Sequence, residues 1–190
     1  MKNKKKVYLK VAAYAAAVIL ALWYMLVLWW GQNPQVGVEY RMYYLTHQLS
    51  DWPGYGKLTY KLGTKEICTA LKDRDGTPVD YTVCRRKGQG WNVEQYEGSV
   101  NHDTESFIYY LPDSSSQEPR YEIEVKEFDK IDANAGNASV QVLVNGESIG
   151  SFSDKGTYIF YMDSIKKDEL LTISFVADNC SFSLWSTRIQ

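Results

Sequence analysis

The sequence is poor in the side chains that perform chemistry. His47 and His102 are its two histidines, and neither belongs to an HExxH pair. It holds no glycine-rich phosphate loop, so metalloprotease and nucleotide-binding mechanisms have no recognisable seat. Its three cysteines, Cys68, Cys84 and Cys180, lack the short paired spacing of a zinc site. Glu94 and Asp103 are the carboxylates that could face each other across a glycosidic bond, but with 23 acidic residues such a pair arises by chance. These absences point away from an enzyme. Acids are also missing from the first thirty positions, which carry Lys2, Lys4, Lys5, Lys6 and Lys10. Taking those five from 21 basic residues leaves 16 against 23 acids, a net charge of −7 over residues 31–190. A domain of that sign repels phosphate backbones, and no arginine-rich helix offsets it, so no nucleic-acid partner is expected.

What the sequence does have is one long apolar run. Val11 to Trp30 reads VAAYAAAVILALWYMLVLWW, twenty residues without a charge. At about 1.5 Å per residue it matches the ~30 Å hydrocarbon core of a bilayer. The run predicts a transmembrane helix over 11–30, preceded by a basic tail over 1–10. The lysines lie before it and the next basic residue is Arg41. The positive-inside rule therefore places the N-terminus in the cytoplasm and the remainder outside the cell membrane. Trp29 and Trp30 fit the membrane-interface belt at the far side. A cleaved signal peptide has a shorter apolar stretch, about 7 to 15 residues, and small residues at the cut. Two tryptophans end this one, so an uncleaved signal anchor is the better reading.

Residues 31–56 read as a juxtamembrane connector. Its middle is ambiguous between a strand alternating at Val36, Val38, Tyr40 and Met42 and a short amphipathic helix. Trp52, beside Pro53, is expected at the membrane interface, and the turn chemistry of Trp52 to Gly56 marks the entry to a domain over 57–190. From there short β-type runs recur: 58–62, 67–71, 81–85, 106–111, 121–128, 139–144, 148–152, 158–162, 170–177 and 182–189. In Tyr121-Glu-Ile-Glu-Val-Lys the apolar residues alternate with charged ones, as a half-buried strand requires. Asn145-Gly146, between Val140 to Val144 and Glu147 to Gly150, supplies the positive φ angles of a two-residue hairpin turn. No helical pattern of useful length follows Gly56, so nothing covers parallel strands. The expectation is an all-β, antiparallel two-sheet sandwich behind one transmembrane helix.

The order of these features resembles the extracytoplasmic β-jelly-roll domain of bacterial membrane glycosyltransferases and related cell-surface polysaccharide assembly proteins, which is itself similar to carbohydrate-binding modules. The residues that carry the resemblance are Tyr60-Lys-Leu-Gly63 with Ile67, Gly90-Trp91 with Glu94 and Gly98, and Val140 to Gly150. Leu170 to Phe175 and the closing strand Trp185 to Gln190 complete them. The resemblance implies a jelly-roll-like sandwich. It also implies a non-catalytic accessory or glycan-binding role in cell-envelope polysaccharide assembly, with a polysaccharide ligand and a multispanning glycosyltransferase as partner. The alternative is a structural module that docks on a membrane complex and never contacts sugar.

Sugars are held by flat aromatic faces flanked by carboxylates and amides. Trp91, Glu94, Tyr96 and Asp103 lie in one glycine- and asparagine-rich connection and can supply that set. The commoner place for such a ring is the core, where Trp91 would plug one end of the sandwich. Trp185, near Phe182 and Leu184, is expected in the core. Cys68 and Cys84 are symmetric about Gly76, so a hairpin turning there sets them opposite each other, either bridged or as two small buried residues. Asp73 and Asp75 before Gly76 match the start of a calcium loop without its later ligands. No metal or cofactor is expected, a structural Ca2+ at this turn being the alternative to a plain turn.

Overall fold

The computed structural model describes residues 2–32, 36–50, 52–68, 71–72, 78–80, 86–91, 98–100, 104–134 and 136–190. Two compact units are present, residues 1–37 and 38–190. In the first, a single helix α1 spans Lys2–Gln32. Its stretch Lys10–Gln32 is long and apolar enough to cross a membrane, and the aliphatic and aromatic side chains from Val11 to Trp30 are exposed.

The second unit opens with one short helical turn, α2 (Val38–Tyr40), which widens into a π-helical turn over Arg41–Leu45. The helical alternative for this stretch is therefore the one realised. Met42 points inward and is buried with Leu49, Leu58 and Tyr109 in a small core of its own. Part of the segment read as a connector is thus packed on the domain.

Twelve strands follow in the described residues. They are β1 (Thr59–Tyr60), β2 (Glu66–Ile67), β3 (Leu71–Lys72), β4 (Pro78–Asp80), β5 (Gly98–Val100), β6 (Glu105–Pro112), β7 (Arg120–Lys130), β8 (Ser139–Val144), β9 (Glu147–Phe152), β10 (Gly156–Tyr161), β11 (Leu171–Asp178) and β12 (Cys180–Ile189). One sheet runs β1-β6-β11-β8-β9. The other runs β10-β7-β12-β2, with β5 also pairing with β12. Apart from the β8–β9 hairpin, successive strands from β6 to β12 pass back and forth between the two sheets, giving the jelly-roll-like sandwich. The pairing is antiparallel with one correction: β1 lies parallel to β6, Thr59 opposite Leu111. Reaching that position takes no covering helix, because β1 is a two-residue edge strand tied by Leu111 N–H to Leu58 O at 2.8 Å.

The period-two pattern decides which residues meet. On β11, Leu171, Ile173, Phe175 and Ala177 face in, with Tyr110 and Ile108 of β6 on one side and Val140 and Val142 of β8 on the other. On the facing sheet Tyr121, Ile123 and Val125 of β7 lie beside Leu184 and Ile189 of β12. Rings cross the gap. Phe175 lies 5.7 Å from Phe182, and Phe182 lies 5.3 Å from Phe152. Each such fully buried ring contributes about 2 to 3 kcal/mol from apolar area alone. The Asn145-Gly146 turn closes β8 onto β9 with φ of 51° and 88°, Val144 opposite Glu147. Asn145 Oδ1 also accepts the Thr172 N–H at 2.9 Å, fixing that turn to β11.

Candidate functional site

Alternation that buries Val140 and Val142 turns Ser139 and Gln141 of β8 outward. Beside them stand Val176 and Asp178 on β11 and Ser148, Gly150 and Ser151 on β9. A bulge between Val142 and Leu143 shifts the β9 register there. Together these residues line a groove of about 410 Å³ across the outer face of the β1-containing sheet, within the size range of small-ligand sites. The groove carries three hydroxyls, one amide and one carboxylate, and no basic side chain. Gln141 Nε2 donates to Ser148 Oγ at 2.9 Å, leaving the amide oxygen of Gln141 and the Asp178 carboxylate as acceptors. Donors and acceptors interspersed without a cation suit a neutral polyhydroxyl ligand and disfavour an anionic one.

The run Gly146-Glu-Ser148-Ile-Gly150 spells G-x-S-x-G. A nucleophile elbow needs a strand-to-helix turn. Here Gly146 sits in a hairpin turn and Ser148 lies on β9, its hydroxyl engaged by Gln141. The letters match and the geometry does not.

Trp91 is 6% exposed, and its ring meets Phe175 and Phe182 edge-on at 5.7 and 6.1 Å. Its indole Nε1 donates to Phe107 O at 2.8 Å, and the Lys87 ammonium sits 5.4 Å from the ring centroid. Gly90 makes this approach feasible. Its φ is +91°, and a Cβ there would stand 2.1 Å from Glu105 O. Glu94, Tyr96 and Asp103 lie outside the described residues, as do Cys84, Asp73 and Asp75. Cys68 is buried, with its amide donating to Trp185 O at 2.8 Å. No cluster of three or more His, Cys, Asp or Glu able to hold a metal occurs among the described residues. Trp29 and Trp30 are more than half exposed on α1, while Trp52 is partly buried among tyrosine rings.

Trp185 departs from expectation. Leu184 faces inward in step with Cys180 and Phe182, and a register shift between Leu184 and Ser186 skips Trp185 at a β-bulge, leaving it 37% exposed. It stands on the outer face of the second sheet, where charges are already paired. Arg188 Nη2 lies 2.6 Å from Glu122 Oε2, and Lys65 Nζ lies 2.9 Å from Glu124 Oε2. The lysine hydrogen bond holds the Glu124 carboxyl below its usual range. Tyr161, 70% exposed, carries the Arg120 guanidinium 5.4 Å from its centroid.

No family model matches the chain, and no curated protein matches it. Solved structures overlap the sandwich. The CBM36-1 domain of a multidomain xylanase from the hindgut metagenome of Trinervitermes trinervoides is 12% identical, with a TM-score of 0.37 over 67% of this chain and 95% of that one. The CBM35 from Cellvibrio japonicus Abf62 is also 12% identical, with a TM-score of 0.34 over 67% and 93%. A carbohydrate-binding module CBM36 in complex with calcium and xylotriose is 14% identical, with a TM-score of 0.30 over 48% and 78%. Overlaps this loose carry nothing about ligand or site residues.

Proposed function

We propose that this chain is a membrane-anchored, non-catalytic protein whose sandwich binds a neutral glycan along the groove over β8, β9 and β11. The observation that carries the reading is the lining of that groove: hydroxyl, amide and carboxylate groups with no cation, about 410 Å³ in volume. The −7 charge of residues 31–190 adds to it by disfavouring anionic polymers. In this reading α1 is an uncleaved signal anchor, the lysines before it stay in the cytoplasm, and the domain faces outward. Its place is cell-envelope polysaccharide assembly, as accessory to a multispanning glycosyltransferase that performs the reaction. Glu94, Tyr96 and Asp103, which follow Trp91 in the sequence, are a second proposed contact for the glycan.

Detergent-solubilised full chain applied to an array of neutral and acidic glycans, with xylotriose included, tests this. Binding to neutral glycans should fall about tenfold or more in Gln141→Ala and Asp178→Asn, each removing one or two ligand hydrogen bonds without changing the fold. Glu94→Gln and Tyr96→Ala separate the second contact from the first. Absence of binding to every neutral glycan would discard the reading in favour of a docking module. Protection of the domain from protease added to intact cells would discard the topology.

A further inference from the structure

Residues 38–57 gather five aromatic rings into one patch. Tyr40 and Tyr44 lie 4.6 Å apart, Tyr43 and Tyr44 4.8 Å, Tyr44 and Trp52 5.4 Å, and Trp52 and Tyr55 5.2 Å. The wide π-helical turn brings Tyr40, Tyr43 and Tyr44 together while Met42 anchors it below. The loop bearing Trp52 and Tyr55 is fastened to that turn by the buried Glu39, whose Oε1 accepts the Gly56 N–H at 2.8 Å. The patch is therefore preassembled, yet much of it is bare: Tyr55 is 74% exposed, and Tyr44 and Leu45 are each 49%. Arg41 and Lys57 are exposed beside it, and neither makes an ion pair with a described residue.

We infer that this patch is seated in the lipid headgroup zone of the bilayer that α1 crosses. Two things select that occupant. Five residues, 33–37, separate the end of α1 from Val38, and at full extension such a link reaches only about 20 Å. The chemistry also fits: tyrosine and tryptophan rings with polar tips favour the interface, and flanking Arg and Lys match lipid phosphates. The inference rests on the anchor reading of α1 and adds that the domain rests on the membrane rather than swinging above it.

The test uses full chain labelled with fluorotyrosine in lipid nanodiscs doped with a gadolinium-chelate headgroup lipid, its resonances assigned by single Tyr→Phe changes. Tyr44 and Tyr55 should show relaxation enhancement about fivefold or more above Tyr161, a ring on β10 as exposed as Tyr55 and more exposed than Tyr44, if they sit at headgroup depth. Arg41→Gln with Lys57→Gln should lower the enhancement in anionic discs more than in zwitterionic ones. Enhancement at Tyr44 and Tyr55 no greater than at Tyr161 overturns the inference. So does enhancement that appears only when each disc holds one chain, which identifies a second copy as the occupant. Tyr14 and Tyr24 of α1 report separately: if acyl-chain nitroxides leave them unaffected, the anchor itself has failed, and this inference fails with it.

Discussion

Breaking the buried pair between Glu66 and Arg86 should destabilise the domain more than any surface change. Arg86 Nε lies 3.0 and 3.2 Å from the two carboxylate oxygens of Glu66, and both side chains are under 10% exposed. Arg86 Nη2 also donates to Thr59 O at 2.9 Å, and the guanidinium lies 5.7 and 5.6 Å from the Tyr60 and Tyr110 ring centroids. The arginine thus ties β2 to the β1 edge of the other sheet and anchors residues 86–91, which end in Trp91. Removing one partner strands a charge in a low-dielectric site, at a cost of about 3 to 5 kcal/mol. For a domain of this size that lowers the melting temperature by roughly 6 to 20 °C. Glu66→Leu and Arg86→Met together remove both charges and should recover most of the loss, short of about 1 kcal/mol for the donor taken from Thr59 O. Denaturant unfolding of the four proteins, followed by tryptophan fluorescence in detergent, gives the cycle. Hydrogen exchange should accelerate at amides 87–91 in the single variants. Single losses below about 1 kcal/mol, or a double variant as unstable as the sum of the singles, would refute the reasoning.

Alkali should unfold the domain from within. Burial pushes the Tyr60 hydroxyl up to about 12 from its ordinary 10, and raises Tyr110 and Tyr121 well above the ordinary phenol range. A folded value above the unfolded one gives stability that is complete below pH 10 and lost as pH rises toward 12, about 3 kcal/mol for Tyr60 alone. A melting temperature unchanged from pH 9 to 11.5 would contradict it. Trp91→Ala should cost about 3 to 5 kcal/mol, because the ring fills the end of the core, whereas Trp185→Ala on the bulge should cost no more than about 1 kcal/mol; urea midpoints compare the two. Gly90→Ala should destabilise by more than about 1 kcal/mol and broaden Trp91 emission, since the added methyl meets the Glu105 carbonyl. Wild-type midpoints there would show that the backbone shifts freely.

The core was legible because it is written in local alternation. Every long strand from β6 to β12 falls on an alternating run of the sequence, and the Asn145-Gly146 turn sets the β8–β9 register without help from distant residues. Two features were not local. Whether Val36 to Met42 becomes a strand or a helix depends on Leu49, Leu58 and Tyr109 offering Met42 an apolar seat. The direction of Trp185 depends on how β12 pairs with β7, a strand distant in the chain: Leu184 pairs with Val125 and Ser186 with Glu124, so Trp185 is skipped on β12 just after Lys126 is skipped on β7.

The groove shows the same limit from the other side. Ser139 and Gln141 read in the sequence as the plain polar half of a strand, the commonest pattern an outward face can have, whereas Ser148 and Ser151 share that face only because the register shift skips Ile149. What makes them a set is that Val176 and Asp178 arrive beside β8 from β11, and that Met42, Leu49 and Leu58 pack on Tyr109 of β6 while the β8–β9 end stays open. Trp91, by contrast, stands out in the sequence as a large aromatic, and in the fold its indole hydrogen-bonds Phe107 O while its ring packs on Phe175 and Phe182. A large aromatic is a strong signal for burial and ligand stacking alike, so its identity alone cannot separate them. The discriminating quantity is where the second strand of contacts comes from. For Trp91 it comes from the core, and for the β8–β9 hydroxyls it is left to a ligand.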